Sequence, residues 1–128
     1  MEALLDFVRE ANLPKGVRAN VCEERITSVT VGSVDQRSHG VGVSGATLLH
    51  HGYLTRLLHA VARDTSLLGE APACYTSICL NVDFPPAALH RDAHNEGLSY
   101  IVGGGDYSGG ELFVEGGGER WAEGVDRG

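Results

Sequence analysis

The sequence predicts an α+β fold with an antiparallel β core. Helical periodicity dominates the first part of the chain, and the two-residue alternation of strands dominates the part after Pro72. Ten of the eighteen glycines follow position 102, which favours strands and turns over helices there. A chain of 128 residues has room for one compact domain and not for two.

Two helices and one strand are predicted in the first part. Residues 2–11 form a short helix with a single apolar face, made by Leu4, Leu5, Val8 and Ala11. Residues 25–34, rich in Val, Ile, Thr and Ser, predict a strand, and the polar, glycine-rich residues 36–45 predict a loop. Thr47 is expected to cap a helix over residues 48–65.

Three strands are predicted in the second part. Residues 75–84 alternate apolar and polar side chains and end at Pro85-Pro86. Residues 99–102 and 111–115 predict two shorter strands. The sequence GGGDYSGG between them, residues 103–110, predicts a turn that no helix would tolerate.

Charge and hydropathy narrow the class of function. The net charge of −7 argues against a broad nucleic-acid surface, although nine of the ten basic residues are Arg, which leaves room for a local phosphate site. No apolar run approaches the roughly 18 residues that span a bilayer, so no membrane partner is expected. The amino terminus lacks the basic and apolar regions of a signal peptide.

The three cysteines, Cys22, Cys74 and Cys79, cannot pair completely and lack zinc-site spacing. They are predicted to be small buried packing residues with no disulfide partner, in an intracellular protein of unspecified compartment.

His90 and Asp92 carry the clearest chemical signal. On an extended backbone, side chains two residues apart point to the same side, so an imidazole and a carboxylate can reach one metal ion. Two His and one carboxylate, with the other coordination positions open, are typical of non-haem Fe(II) oxygenases. An H-x-D triplet alone is weak evidence, and its alternative is a surface salt link in a turn. The surrounding residues therefore decide the interpretation.

Those surroundings resemble a known family. The pattern H-x-D-x-x-N-x-G-x-S, followed by G-x-Y-x-G-G-E-L, starts at His90 and includes Asn95, Gly97, Ser99, Gly105, Asp106, Tyr107, Gly109, Gly110, Glu111 and Leu112. With Asn81 on the preceding strand, it is similar to the first half of the double-stranded β-helix, or jelly roll, of Fe(II)/2-oxoglutarate-dependent dioxygenases. The prolyl-hydroxylase and nucleobase-modifying branches are the most similar. The resemblance covers roughly residues 26–116.

The resemblance implies an oxidoreductase that hydroxylates a substrate with O₂ and 2-oxoglutarate, releasing succinate and CO₂. His90 and Asp92 would be the first two Fe(II) ligands, and Asn81 would hydrogen-bond the 2-oxoglutarate co-substrate. Ascorbate is an optional reductant, and the substrate could be a protein, a nucleobase or a small molecule. Residues 1–70 would support the core, and residues 71–128 would form its first half.

The chain departs from the family in two ways. The only histidine after Asp92 is His94, which is predicted to be a solvated turn residue, and neither Arg120 nor Arg127 fits the position of a co-substrate partner. We therefore expect a truncated domain, or one whose core another chain completes, that binds iron weakly and is inactive in isolation. The alternative is a non-catalytic remnant of the fold that acts as a binding or interaction module.

Two other motifs are weaker. His90-Arg91-Asp92 matches the kinase triplet H-R-D, but Asn95 follows Asp92 by three residues where a kinase needs five. The glycine-rich turn lacks the Gly-Lys-Ser/Thr of a phosphate-binding loop. His50, His51 and His59 are expected on the surface or at the edge of the core.

Overall fold

The computed structural model describes residues 1–18, 21–36, 38–49, 52–64, 66, 69, 74–90 and 99–110, with the side chains of residues 48 and 49 excepted. Its elements, in chain order, are α1 (Glu2–Glu10), β1 (Lys15–Arg18), β2 (Cys22–Gln36), β3 (Gly40–Val43), α2 (Gly45–Leu49), α3 (Tyr53–Ala62) and β4 (Ser77–Val82). An α+β fold with an antiparallel sheet is thereby confirmed. Three strands lie between α1 and α2, so helical structure dominates the first part of the chain less than the sequence predicted.

The long strand β2 organises the sheet. Thr27 pairs with Lys15 of β1 and also with Val82 of β4, so β1 and β4 lie on opposite edges of β2. The last residues of β2 form a hairpin with β3, in which Ser33 pairs with Val43. All three pairings are antiparallel. Because β4 pairs with β2, residues from both sides of position 70 share one sheet.

One face of the sheet is covered by helices. Val29 and Val31 of β2 share this face with Leu80 and Ile78, their partners on β4. The buried cluster joins this face to α1, α3 and the turn after α1, and it consists of Leu4, Leu13, Val29, Val31, Leu54 and Leu58. The apolar stripe predicted for α1 is confirmed, since Leu5, Val8 and Ala11 are half-buried beside the fully buried Leu4.

The predicted single helix over residues 48–65 is wrong. Two helices replace it, and α3 starts after Gly52, whose φ of 85° is a left-handed conformation that interrupts a helix. Thr47 is not the cap. Ser44 precedes α2, and its Oγ accepts a hydrogen bond from the backbone N–H of Thr47 at 3.2 Å. The Thr47 hydroxyl instead accepts the backbone N–H of Gly32 at 2.7 Å, which ties α2 to the sheet.

Two further predictions about strands are corrected. Residues 40–43, predicted as loop, form β3, because backbone pairing with β2 outweighs the low strand propensity of Gly40 and Gly42. Residues 99–102, predicted as a strand, have no strand partner among the described residues, and Ile101 is 72% exposed. The predicted strand over 111–115 lies outside the described residues.

The glycine-rich segment turns as predicted. Gly105, Gly109 and Gly110 have φ values of 96°, 78° and 90°, which only glycine adopts without strain. Gly104 approaches α1 so closely that a Cβ there would lie 2.6 Å from the Met1 Sδ. The lack of a side chain at Gly104 therefore allows this turn to pack against the start of α1.

The cysteines differ from expectation. All three are free thiols, but Cys74 and Cys79 are exposed and only Cys22 is half-buried. Their predicted role as buried packing residues is wrong, because Cys79 occupies the outward position in the alternation of β4. Within the described ranges, no helix has the length and apolar character needed to cross a membrane.

Candidate functional site

The sheet face opposite the helices carries a small polar cluster. Alternation along β4 places Ser77, Cys79 and Asn81 on this face, where all three are exposed. Ser28 of β2 pairs directly with Asn81 and donates a hydrogen bond from its Oγ to the Asn81 Oδ1 at 2.7 Å. The Cys79 Sγ lies 3.5 Å from the Ser28 Oγ and 3.6 Å from the Asn81 Oδ1.

These contacts orient the Asn81 amide. Its oxygen accepts from Ser28, so the donor nitrogen Nδ2 is the group that Asn81 can present to an acceptor. A carboxylate is an acceptor only, which makes an amide nitrogen a suitable partner for it. The orientation is therefore compatible with the predicted contact between Asn81 and a carboxylate co-substrate.

The chain leaves β4 along a defined path toward His90. Asp83 ends the strand with a φ of 48°, the one left-handed non-glycine residue among those described. Farther along, the backbone N–H of Ala88 donates to the Val21 carbonyl at 2.7 Å. Val21 is 2% exposed, so it provides a fixed support at the start of β2. The segment before His90 is thus attached to the sheet.

The His90 ring is oriented by this segment. His90 is exposed, and its Nδ1 lies 2.7 Å from the carbonyl oxygen of Ala88. A carbonyl oxygen can only accept, so Nδ1 must carry the proton of this hydrogen bond. In the neutral imidazole the lone pair then resides on Nε2. Histidine ligands of metal ions commonly have this arrangement, with one ring nitrogen donating to a carbonyl or carboxylate and the other binding the metal.

Half of the predicted metal site falls outside the described residues. Residues 91–98, which include Asp92, His94 and Asn95, are not described, nor are Arg120 and Arg127. The residues immediately before His90 form no strand. The convergence of His90 and Asp92 stays a prediction. In the part of the chain that the structure describes, no three His, Cys, Asp or Glu side chains are grouped as metal ligands.

Sequence reasoning missed two contacts. Ser28 had no visible role, because its partner Asn81 is 53 residues away and only the strand register reveals the pair. The half-buried His59 was expected at the core edge, and its Nδ1 is hydrogen-bonded to the Tyr75 hydroxyl. This bond joins α3 to the segment that precedes β4. A histidine sixteen residues before a tyrosine gives no sequence signal for such a contact.

Two grooves formed by described residues lie away from His90 and Asn81. A groove of about 390 Å³ between α1 and α3 is lined by Asp6, Glu10, Phe7 and Tyr53, with Ala3 and Ala11. A smaller one of about 130 Å³ lies between α1 and the sheet, and Val82 is among its lining residues. Neither is lined by His90 or Asn81. Comparison with protein-family models, with curated proteins and with solved structures found no match to this chain.

Proposed function

We propose that this chain carries part of an Fe(II)/2-oxoglutarate-dependent dioxygenase domain, in which His90 and Asp92 bind the iron. The observation that supports the proposal is the hydrogen bond from the His90 Nδ1 to the Ala88 carbonyl, because it assigns the lone pair to Nε2. The four-stranded antiparallel sheet is the described part of what would be a double-stranded β-helix.

The support behind His90 strengthens the proposal. The Ala88 carbonyl orients the imidazole, and the Ala88 N–H is itself bound to the buried Val21. A ligand held through a second residue loses less conformational freedom when it binds a metal ion. The Ala88 and Val21 contacts orient the His90 ring although its segment is exposed. An isolated surface histidine would lack this support.

The chemical character of the residues fits Fe(II). An imidazole and a carboxylate are two of the three protein ligands used in non-haem iron oxygenases. The bound metal would supply O₂ activation, and His90 and Asp92 would hold it on the segment after β4. Asn81 would donate from Nδ2 to a co-substrate carboxylate, while Ser28 keeps the amide in that orientation.

Metal binding tests the proposal without requiring turnover. We expect His90→Ala to remove most of the Fe(II) binding measured by anaerobic calorimetry, because it deletes one of the two ligands that the chain offers. His39→Ala is the matched control, since His39 is also exposed and its Nδ1 is hydrogen-bonded to the hydroxyl of the adjacent Ser38.

Fe(II) binding is expected to differ between the wild-type chain and the His90→Ala variant. Binding by the wild-type chain is expected to be weak, because two protein ligands hold iron less firmly than three. Equal binding by His90→Ala and the wild-type chain would exclude His90 as a ligand. Loss of binding in His39→Ala as well as in His90→Ala would indicate nonspecific histidine binding.

A non-catalytic binding module is the second candidate. It rests on the observation that no three His, Cys, Asp or Glu side chains are grouped as metal ligands among the described residues. The two candidates differ in one measurement, which is whether His90→Ala removes Fe(II) binding.

A further inference from the structure

The outer edge of β4 presents a regular row of backbone hydrogen-bonding groups. The Ser33 N–H donates to the Thr76 carbonyl at 2.9 Å, so the polar backbone groups of Thr76 face β2. Along an antiparallel strand, the N–H and C=O groups of one residue point to one edge, and those of the next residue point to the other edge. Ile78, Leu80 and Val82 therefore bond to β2, and the N–H and C=O groups of Ser77, Cys79 and Asn81 point to the other edge.

This edge lacks the features that prevent strand pairing. Natural edge strands commonly carry a charge, a proline or a bulge. The sequence of β4, SICLNV, has neither charge nor proline, and β4 pairs with β2 in unbroken register. Its core-facing side chains, Ile78, Leu80 and Val82, are only half-buried. No strand among the described residues lies on this edge. A further strand would cover both the apolar side chains and the backbone groups.

We propose that β4 pairs with β4 of a second copy of the chain, antiparallel and about a two-fold axis at Cys79. Ser77 and Asn81 are equidistant from Cys79, so this register pairs Ser77 with Asn81 of the partner subunit. It uses every outward N–H and C=O of the three residues, whereas a shift by two residues leaves some unpaired. The axis at Cys79 is therefore the register with the most hydrogen bonds.

A second copy of the chain suits this edge because β4 has no charged side chain. At a two-fold axis each residue meets its own kind, so a charged strand would place like charges opposite one another. The small, uncharged side chains of Ser77, Cys79 and Asn81 avoid this repulsion. The net charge of −7 opposes association at longer range, so the dimer is expected to strengthen as salt is added. The interface does not depend on the proposed iron site.

The register gives a direct test. A hydrogen-bonded antiparallel pair has its Cα atoms about 5.5 Å apart. Disulfides span Cα distances of about 4.4–6.8 Å, so two Cys79 residues at the axis can be cross-linked. In a Cys22→Ser/Cys74→Ser background, diamide is expected to oxidise the two thiols to a disulfide and to be reduced to the hydrazine. The product is a covalent dimer on a non-reducing gel.

A matched chain controls for random collision. It retains Cys74 as the sole cysteine, and Cys74 is exposed like Cys79. This variant is expected to form no covalent dimer under the same oxidation. Cross-linking through Cys74 as efficient as through Cys79 would overturn the proposal.

Sedimentation of the unoxidised chain gives an independent measurement. Cys79→Lys places two ammonium groups at the axis and is expected to raise the dimer Kd by about tenfold or more. Ser38→Lys changes the net charge equally at an exposed position in the β2–β3 turn and is expected to leave the Kd unchanged. A wild-type chain that stays monomeric at every concentration, or a dimer that Cys79→Lys does not weaken, would show that the edge is not a self-association site.

Discussion

Gly32 is the residue at which backbone conformation and packing are most tightly linked. It has a φ of 101° within β2, and a Cβ placed there would lie 2.5 Å from the Thr76 carbonyl oxygen. Its N–H donates to the Thr47 hydroxyl, and its carbonyl accepts from the Ser44 N–H. A glycine therefore lets β4 and the start of α2 approach β2 at the same point.

Gly32→Ala is expected to destabilise the fold by about 2–4 kcal/mol, because it adds a steric clash with backbone atoms to an unfavourable φ. Urea denaturation followed by circular dichroism measures the change. Gly16→Ala is the control, since a Cβ at Gly16 has no heavy atom within 4 Å and Gly16 has no positive φ. If the two variants are equally stable, the conformation at Gly32 is not a constraint.

The elements that the sequence predicts best are those with strong periodicity. Helix α1 was expected over 2–11 and ends at Glu10, and β4 was expected over 75–84 and spans Ser77–Val82. Both bury one regular face, so local pattern and tertiary packing agree. Strand β3 has no such pattern, because its sequence GVGV gains its structure from pairing with β2. Strand pairing depends on the tertiary structure, which the β-propensity of individual residues does not predict.

The break between α2 and α3 could not be predicted from apolar spacing. The stripe of Leu54, Leu57, Leu58 and Val61 continues the helical period, and the left-handed Gly52 lies immediately before α3. Leu54 and Leu58 are the buried residues of α3. They hold this helix on the sheet regardless of where the helix begins.

Leu54→Ala is expected to lower the free energy of unfolding by about 2–5 kcal/mol, because it opens a cavity in the cluster that joins α3 to the sheet. Leu54 is 0% exposed, whereas Leu89 is 79% exposed. Leu89→Ala removes the same atoms from the surface and is expected to change stability by less than about 0.5 kcal/mol. Thermal unfolding of both variants checks the difference. Similar losses would place Leu54 outside the structural core.

At the scale of the whole molecule, the candidate site combines distant parts of the chain. His90 is supported by Val21 through Ala88, and Asn81 is oriented by Ser28. His90 was predicted from its spacing to Asp92 and Asn81 from the family resemblance, and both roles stay predictions. The sequence could not identify Val21 or Ser28, whose roles follow from contacts that the fold creates. Asp92 lies outside the described residues, and its role stays a prediction.

The 128-residue chain is expected not to couple 2-oxoglutarate decarboxylation to hydroxylation when assayed alone. Oxygen activation in the proposed class requires three fixed protein ligands and a co-substrate that chelates the metal in one orientation. His94 is the only histidine after Asp92, and no cationic residue is assigned to the distal carboxylate of 2-oxoglutarate. Loss of a charge-assisted pair there costs about 1.5–3 kcal/mol.

Succinate formation with Fe(II) and ascorbate measures this coupling, and His94→Ala distinguishes its sources. A background rate unaffected by His94→Ala and His90→Ala agrees with the expectation, because it arises from iron in solution. Robust turnover abolished by either variant would contradict it, and loss of turnover in His94→Ala would identify His94 as the third ligand. His39→Ala again serves as the control, because loss of turnover in that variant would indicate a general effect of removing a histidine. The comparison therefore separates a site completed by His94 from one that holds iron through His90 and Asp92 alone.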